Sequence, residues 1–193
     1  RLFAKPHAAR LLEAELRKPG YQCRFMALGT NTDPYQPIER QRRITRDVLQ
    51  VLADYNHPVG IVTKSHLVTR DIDILAPMAA KGLARVYVSV TTLDRGLART
   101  LEPRAATPVR RLDAIRALSA AGIPTGVSVS PLIPAINDAE IENILAAAAE
   151  AGATTAMGLL LRLPLEVAPL FREWLAVHAP LKADHVMNLL RDM

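Results

Sequence analysis

Short apolar runs alternate with stretches of helical periodicity along the whole chain. The first run, "RFMALGT" at residues 24–30, is nearly continuous in apolar character, as a strand covered on both faces should be. Ile44, Val48, Val51, Leu52 and Tyr55 then recur at helical spacing until His57-Pro58 ends the pattern. "VGIVTKS" (59–65) predicts a second strand, and a helix follows to Lys81 with Gly82 placed to close it. Pro77 falls inside that helix and predicts a kink or break. "ARVYVSVTT" (84–92) is the third strand. Thr107-Pro108 reads as an N-cap followed by proline at the first helical position, with the helix running to Ala121 and stopping at Gly122. "PTGVSVSPLIP" (124–134) contains the fourth strand. Asn137 with Glu140 resembles a capping box opening the next helix, which ends near Gly152. "TTAMGLLLRLP" (154–164) is the fifth strand, and residues 166–178 place Val167, Leu170, Phe171, Trp174 and Val177 on one covering face. "RLFAK" and a helix over 6–18 read as the end of an earlier unit. Five strand–helix units in series predict an α/β fold with a parallel sheet under helices. Pattern alone leaves open a doubly wound sheet or a full or partial barrel.

Half of the 193 residues are hydrophobic, enough for one globular domain spanning 1–193. No apolar run is long enough to cross a bilayer and no secretion signal opens the chain, so a soluble, cytoplasmic protein with no membrane partner is expected. Cys23 is the only cysteine, which excludes an intrachain disulfide and a thiolate-built structural zinc site, and fits a reducing compartment. The net charge of +5 and pI near 9.7 favour anionic partners such as nucleic acid. The one dense cluster, "RQRRITR" at 40–46, sits on a helix whose other face is apolar; a solvated helix face and a phosphate-binding surface both remain open. The chain opens at Arg1, and the expectation is that it is the body of a longer protein.

Polar residues gather where the strands end. In order they are Thr30-Asn31-Thr32-Asp33, Thr63-Lys64-Ser65-His66, residues 89–92, Ser130 and Arg162. In βα barrels this end carries the chemistry. Lys64 could reach solvent, hold a carboxylate or phosphate, or form a Schiff base if burial depressed its pKa. Strand alternation places Tyr87, Ser89 and Thr91 on one face, where Ser89 could equally be an interior hydroxyl bonded to neighbouring backbone. Glu102-Pro103-Arg104 reads as a local ion pair or as part of the site. There is no G-x-G-x-x-G, Walker loop or H-E-x-x-H, and Ser128 and Ser130 lack the partners of a hydrolase triad. His178 and His185 are too far apart in sequence for a one-turn metal pair.

"GTNTDPYQPIE", "GIVTKS", "VSVTTLD", "LEPRAATPVRRLDAIRALSAAG" and "VSPLIPAIND", in that order, closely resemble the radical S-adenosylmethionine (SAM) proteins related to spore photoproduct lyase. The likeness is strongest to the bacterial, DNA-repair-photolyase-like group. It implies a partial (β/α)6 TIM-like barrel, of which five units are present here and one is expected upstream. It also implies S-adenosylmethionine and a [4Fe-4S] cluster, which together yield a 5′-deoxyadenosyl radical that abstracts hydrogen from substrate. A reductase or flavodoxin-type electron donor is expected as a partner. Lys64 and Ser89 match positions that hold the methionyl carboxylate, Ser130 a position near the adenosyl group, and Asn31, Thr32 and Asp33 the substrate side of the barrel mouth.

Two departures from the family shape the expectation. The cluster-binding C-x3-C-x2-C loop is absent, so no metal ligands are expected in this chain; they would precede Arg1, and without them the chain is expected to be inactive. Spore photoproduct lyase carries a hydrogen-donating cysteine at about Thr30, whose stronger O–H bond makes thymine-dimer repair unlike this protein. The alternatives are a Schiff-base lyase using Lys64 and a cluster-less barrel binding nucleic acid through its arginines. The substrate is not identified by any of these features.

Overall fold

The computed structural model describes residues 4–192. In chain order the elements are α1 (Ala8–Leu16), β1 (Met26–Leu28), α2 (Glu39–Arg42), α3 (Ile44–Asp54), β2 (Val59–Thr63), a 3-10 turn (His66–Asp71), α4 (Ile72–Ala80), β3 (Ala84–Ser89), α5 (Arg95–Leu101) and α6 (Pro108–Ala120). They continue with β4 (Thr125–Leu132), a 3-10 turn (Asp138–Glu140), α7 (Ile141–Glu150), β5 (Thr155–Leu160), α8 (Val167–His178), a third 3-10 turn (Pro180–Lys182) and α9 (Ala183–Asp192).

The five strands pair in parallel in the order β1-β2-β3-β4-β5. A doubly wound sheet reverses its strand order at a switch point, and this sheet never does. Every crossover therefore steps the same way, which is the winding of a partial barrel. Val59, Ile61, Val86, Val88 and Val90 are 0% exposed and face the helices, with Leu49, Leu52, Leu75, Ile115 and Leu118 opposite them. Each such side chain contributes about 1.5–3 kcal/mol by leaving water.

The alternate residues face the other side of the sheet. A Cβ at Gly60 would lie 2.4 Å from the Phe25 ring, and one at Gly126 would lie 2.4 Å from Tyr87. Glycine is needed at both positions because an aromatic side chain occupies the space a Cβ would take. Arg85 in turn stacks on Phe25 at 4.5 Å.

A smaller apolar cluster of Ile133, Phe171, Leu175, Val186 and Met187 anchors α8 and α9. On α8 the buried residues are Phe171 and Leu175, while Val167, Leu170 and Val177 are 40%, 60% and 73% exposed. The expected apolar face is therefore shifted: α8 meets the short Ile133 loop along a narrow seam and leaves its flanks in solvent.

Other local expectations also change. β1 is limited to three residues because its pairing with β2 begins at Met26↔Val59, which leaves Arg24 and Phe25 without a partner strand. Residues 40–46 do not form one helix. Arg43 adopts a left-handed conformation (φ 52) between α2 and α3, and Arg46 turns to Asp71 and Asp73. α4 runs through Pro77 without interruption, since Ile74, Leu75 and Met78 are buried around it and the exposed proline forfeits only one hydrogen bond.

The capping box at Asn137 does not form. Asn137 is 0% exposed and instead accepts from Ile133 N while donating to the carbonyls of Thr91 and Pro131. Glu140 reaches the loop after β3, accepting from Leu93 N at 2.8 Å. The helix from 6–18 forms as α1, while the first three residues of "RLFAK" lie outside the described residues.

Candidate functional site

The loop between β1 and α2 is fastened before it can bind anything. Gly29, at φ +97, brings the backbone so close to β2 that a Cβ would sit 1.9 Å from the Val62 carbonyl oxygen. Beyond it, Asp33 Oδ1 accepts from Tyr35 N at 2.8 Å and from Thr63 Oγ1 at 2.7 Å, and Asp33 Oδ2 accepts from Lys64 N at 2.8 Å. Both carboxylate oxygens thus tie the loop to the end of β2. Tyr35, 2% exposed, donates its hydroxyl to Asp71 Oδ2 at 3.0 Å. Burial first, and the Asp71 carboxylate second, push the Tyr35 phenol well above its ordinary value, so it remains a donor. Asp71, itself 0% exposed, also accepts from Arg46 at 3.0 Å and Arg70 at 2.8 Å. Asn31 and Thr32 stand exposed at the rim.

Across the sheet, the C-terminal ends of β2, β4 and β5 enclose a cleft of about 370 Å³ lined by Lys64, Ser130, Pro131, Leu159, Leu160, Leu161 and Arg162. Its size suits a small ligand. One wall is apolar and the mouth carries two cations, an arrangement that would take a molecule with a flat apolar part and an anionic end. Ser128 Oγ donates to Ser130 Oγ at 3.0 Å, which leaves the outer hydroxyl able to donate into the cleft. Ser89 lies one strand in from it, 3% exposed, and is not among the cleft's lining residues. The structure therefore brings Lys64 and Ser130 together with Arg162, keeps Ser89 beneath them, and uses Asp33 as a brace.

Glu102 changes the picture most. Its expected neighbour Arg104 is not its partner: Glu102 Oε2 accepts from Arg111 Nη2 at 2.6 Å, and Oε1 accepts from Thr91 at 3.2 Å and lies 3.5 Å from Lys64 Nζ. Arg111 is 2% exposed and also donates to the carbonyls of Ser89 (3.1 Å) and Ala106 (2.7 Å). The signal for this pair lay in "LEPRAATPVRR", where an arginine on the apolar side of a helix calls for a buried partner.

A radical SAM superfamily model matches residues 6–148, most of this fold and every strand of the cleft but β5. The chain belongs to the radical SAM superfamily. An uncharacterized protein of Mycobacterium tuberculosis is 37% identical over 165 residues, 83% of this chain and 48% of that protein. One of Methanocaldococcus jannaschii is 31% identical over 113 residues, 58% and 42% of the respective chains. This radical SAM chain spans about half the length of the curated relatives it matches.

Among solved structures, a spore photoproduct lyase variant with bound AdoMet and dinucleoside spore photoproduct superposes with a TM-score of 0.63 at 15% identity, covering 86% of this chain and 49% of that one. Streptococcus suis SuiB bound to S-adenosylmethionine gives 0.64 at 14% identity, covering 94% and 43%. These likenesses establish the partial barrel, in agreement with the ordered motifs. Among the described residues no helix is long and apolar enough to cross a membrane. Nor does any group of three or more potential metal-ligating side chains occur among them, and Cys23 stands alone and exposed.

Proposed function

We propose that this chain is the cofactor-binding body of a radical SAM enzyme, with S-adenosylmethionine seated in the cleft at the ends of β2, β4 and β5. The observation that carries this reading is the convergence of Lys64, Ser130 and Arg162 on an apolar wall in a chain of this superfamily. Lys64 and Arg162 would hold the methionyl carboxylate by charge-assisted bonds worth roughly 1.5–3 kcal/mol each. Ser89 supports this end from below, where its carbonyl is gripped by Arg111. Ser130 and the backbone of β4 and β5 would meet the adenosyl part against Leu159–Leu161 and Pro131. When bound, S-adenosylmethionine supplies the family's hydrogen-abstracting chemistry. The remaining work of binding, orienting and excluding water falls to these side chains.

A [4Fe-4S] cluster does not fit these residues, because one exposed cysteine cannot supply three thiolates. Its ligands, on this proposal, come from outside the 193 residues, and so does the group that passes electrons to it. The exposed Asn31 and Thr32 beside the braced Asp33 mark the substrate side of the mouth, and the substrate is a molecule that enters past them.

The test is S-adenosylmethionine affinity, measured by calorimetry on the longer protein with its cluster reconstituted. Lys64→Ala is expected to weaken binding about tenfold or more, in line with one lost charge-assisted bond. Unchanged affinity would remove Lys64 from the site.

A further inference from the structure

Resting on that reading of the cleft, we infer that Glu102 competes with an incoming carboxylate for Lys64, and that the buried Arg111 keeps the competition weak. The three side chains form a row. Arg111 is 2% exposed, Glu102 12% and Lys64 32%, and only Lys64 lines the cleft. Two cations flank one carboxylate, so the row presents one net positive charge to the cleft.

The two cationic contacts of Glu102 are unequal. Arg111 holds Oε2 at 2.6 Å, while Lys64 lies 3.5 Å from Oε1, beyond good hydrogen-bond length for an ammonium and a carboxylate. Thr91 donates to the same Oε1 at 3.2 Å and takes up part of its accepting capacity. Glu102 therefore belongs to Arg111, and Lys64 is parked beside it on a long, flexible stem. An anionic ligand entering the cleft has to replace only the weaker contact. Arg111 meanwhile grips the Ser89 carbonyl and fixes the floor from which Glu102 is aimed. Arg111 has no route to the ligand and acts as a positioning residue through Glu102.

The charge arithmetic gives opposite outcomes for the two partners. Neutralising Glu102 leaves Lys64 uncontested and tightens the binding of a carboxylate. Neutralising Arg111 leaves Glu102 with Lys64 as its sole cationic partner, turns the row electrically neutral, and loosens the same ligand. Neither change should affect a ligand that fills the adenosyl end but has no carboxylate.

The experiment compares S-adenosylhomocysteine, which has the amino-acid carboxylate, with 5′-methylthioadenosine, which lacks it, by calorimetry on the longer protein. Glu102→Gln is expected to tighten S-adenosylhomocysteine by up to about fivefold, the size of a partly exposed ion pair, and to leave 5′-methylthioadenosine unchanged. In a Lys64→Ala background the effect of Glu102→Gln should vanish, which a structural role for Glu102 would not produce. Weaker S-adenosylhomocysteine binding by Glu102→Gln, an equal shift of both ligands, or an effect that persists without Lys64 would each overturn the inference. It would then fail alone if the wild type still binds S-adenosylhomocysteine through Lys64; a wild type that binds neither ligand removes the cofactor reading together with this one. Arg111→Met carries the risk of misfolding, so the Glu102 and Lys64 cycle decides.

Discussion

Two polar rims stand at the same end of the sheet, and they differ in what their hydrogen-bonding groups are doing. At the first rim, Asp33 in the loop after β1 and Asp71 at the end of the turn after β2 accept from six donor groups between them, all supplied by the protein itself: Tyr35 N, Thr63 Oγ1 and Lys64 N on Asp33, and the Tyr35 hydroxyl, Arg46 and Arg70 on Asp71. At the ends of β2, β4 and β5, Lys64 has one long contact and Arg162 is exposed at the cleft mouth. The two rims look alike in composition. Capacity left over for a ligand, rather than polarity as such, distinguishes a site from a well-made corner.

Breaking the fastened rim should cost stability. Asp71→Ala removes a fully buried carboxylate from between Tyr35, Arg46 and Arg70, and is expected to lower unfolding free energy by about 3–5 kcal/mol in urea titrations. Asp33→Ala should cost about 2–3 kcal/mol, with Asp33→Asn recovering part of it, because three bonds go to one partly buried carboxylate. If either variant instead unfolded at the wild-type denaturant midpoint, the contrast between the rims would not hold.

The open rim should respond in the reverse sense. Lys64→Ala is expected to change unfolding free energy by no more than about 1 kcal/mol, since its ion pair is loose and partly solvated, while weakening S-adenosylmethionine binding as stated above. A large stability loss would make Lys64 a fastening residue like Asp33.

The smallest effect separates the rims by pH. His66, next to the Lys64 strand end, is held below the usual 6.5 by burial and then by the charge of Arg110. Its neutral form is the one the fold favours, so the stability it contributes is present above pH 6.5 and is lost as the pH falls through the lower folded value. His66→Gln should flatten the decline of melting temperature below pH 6.5, and an unchanged decline would assign the acid sensitivity to other groups.

The strands and their covering helices were largely legible in the chain, because a buried strand needs an apolar run and a crossover needs a helical repeat, whereas the pattern left the strand order open and only the family resemblance pointed to the barrel winding that the pairing shows. Gly82 and Gly122 closed their helices in left-handed conformations, at φ 70 and 74. What failed was local chemistry with distant partners. Asn137 and Glu140 carried the letters of a capping box, yet their side chains found better acceptors and donors on loops some 46 and 47 residues away. Arg46 looked like part of a basic surface until Asp71 and Asp73 arrived from α4's side.

From its sequence alone, this protein was determined to be a parallel α/β chain of radical SAM type with one cysteine and polar strand ends, since periodicity and ordered motifs are properties of neighbouring residues. Only the tertiary structure decided which polar groups were already satisfied: that Asp33 braces, that Glu102 turns from Arg104 to Arg111, and that Lys64 stays available. A hydrogen bond is settled by distance in space, and the chain's order does not contain that distance.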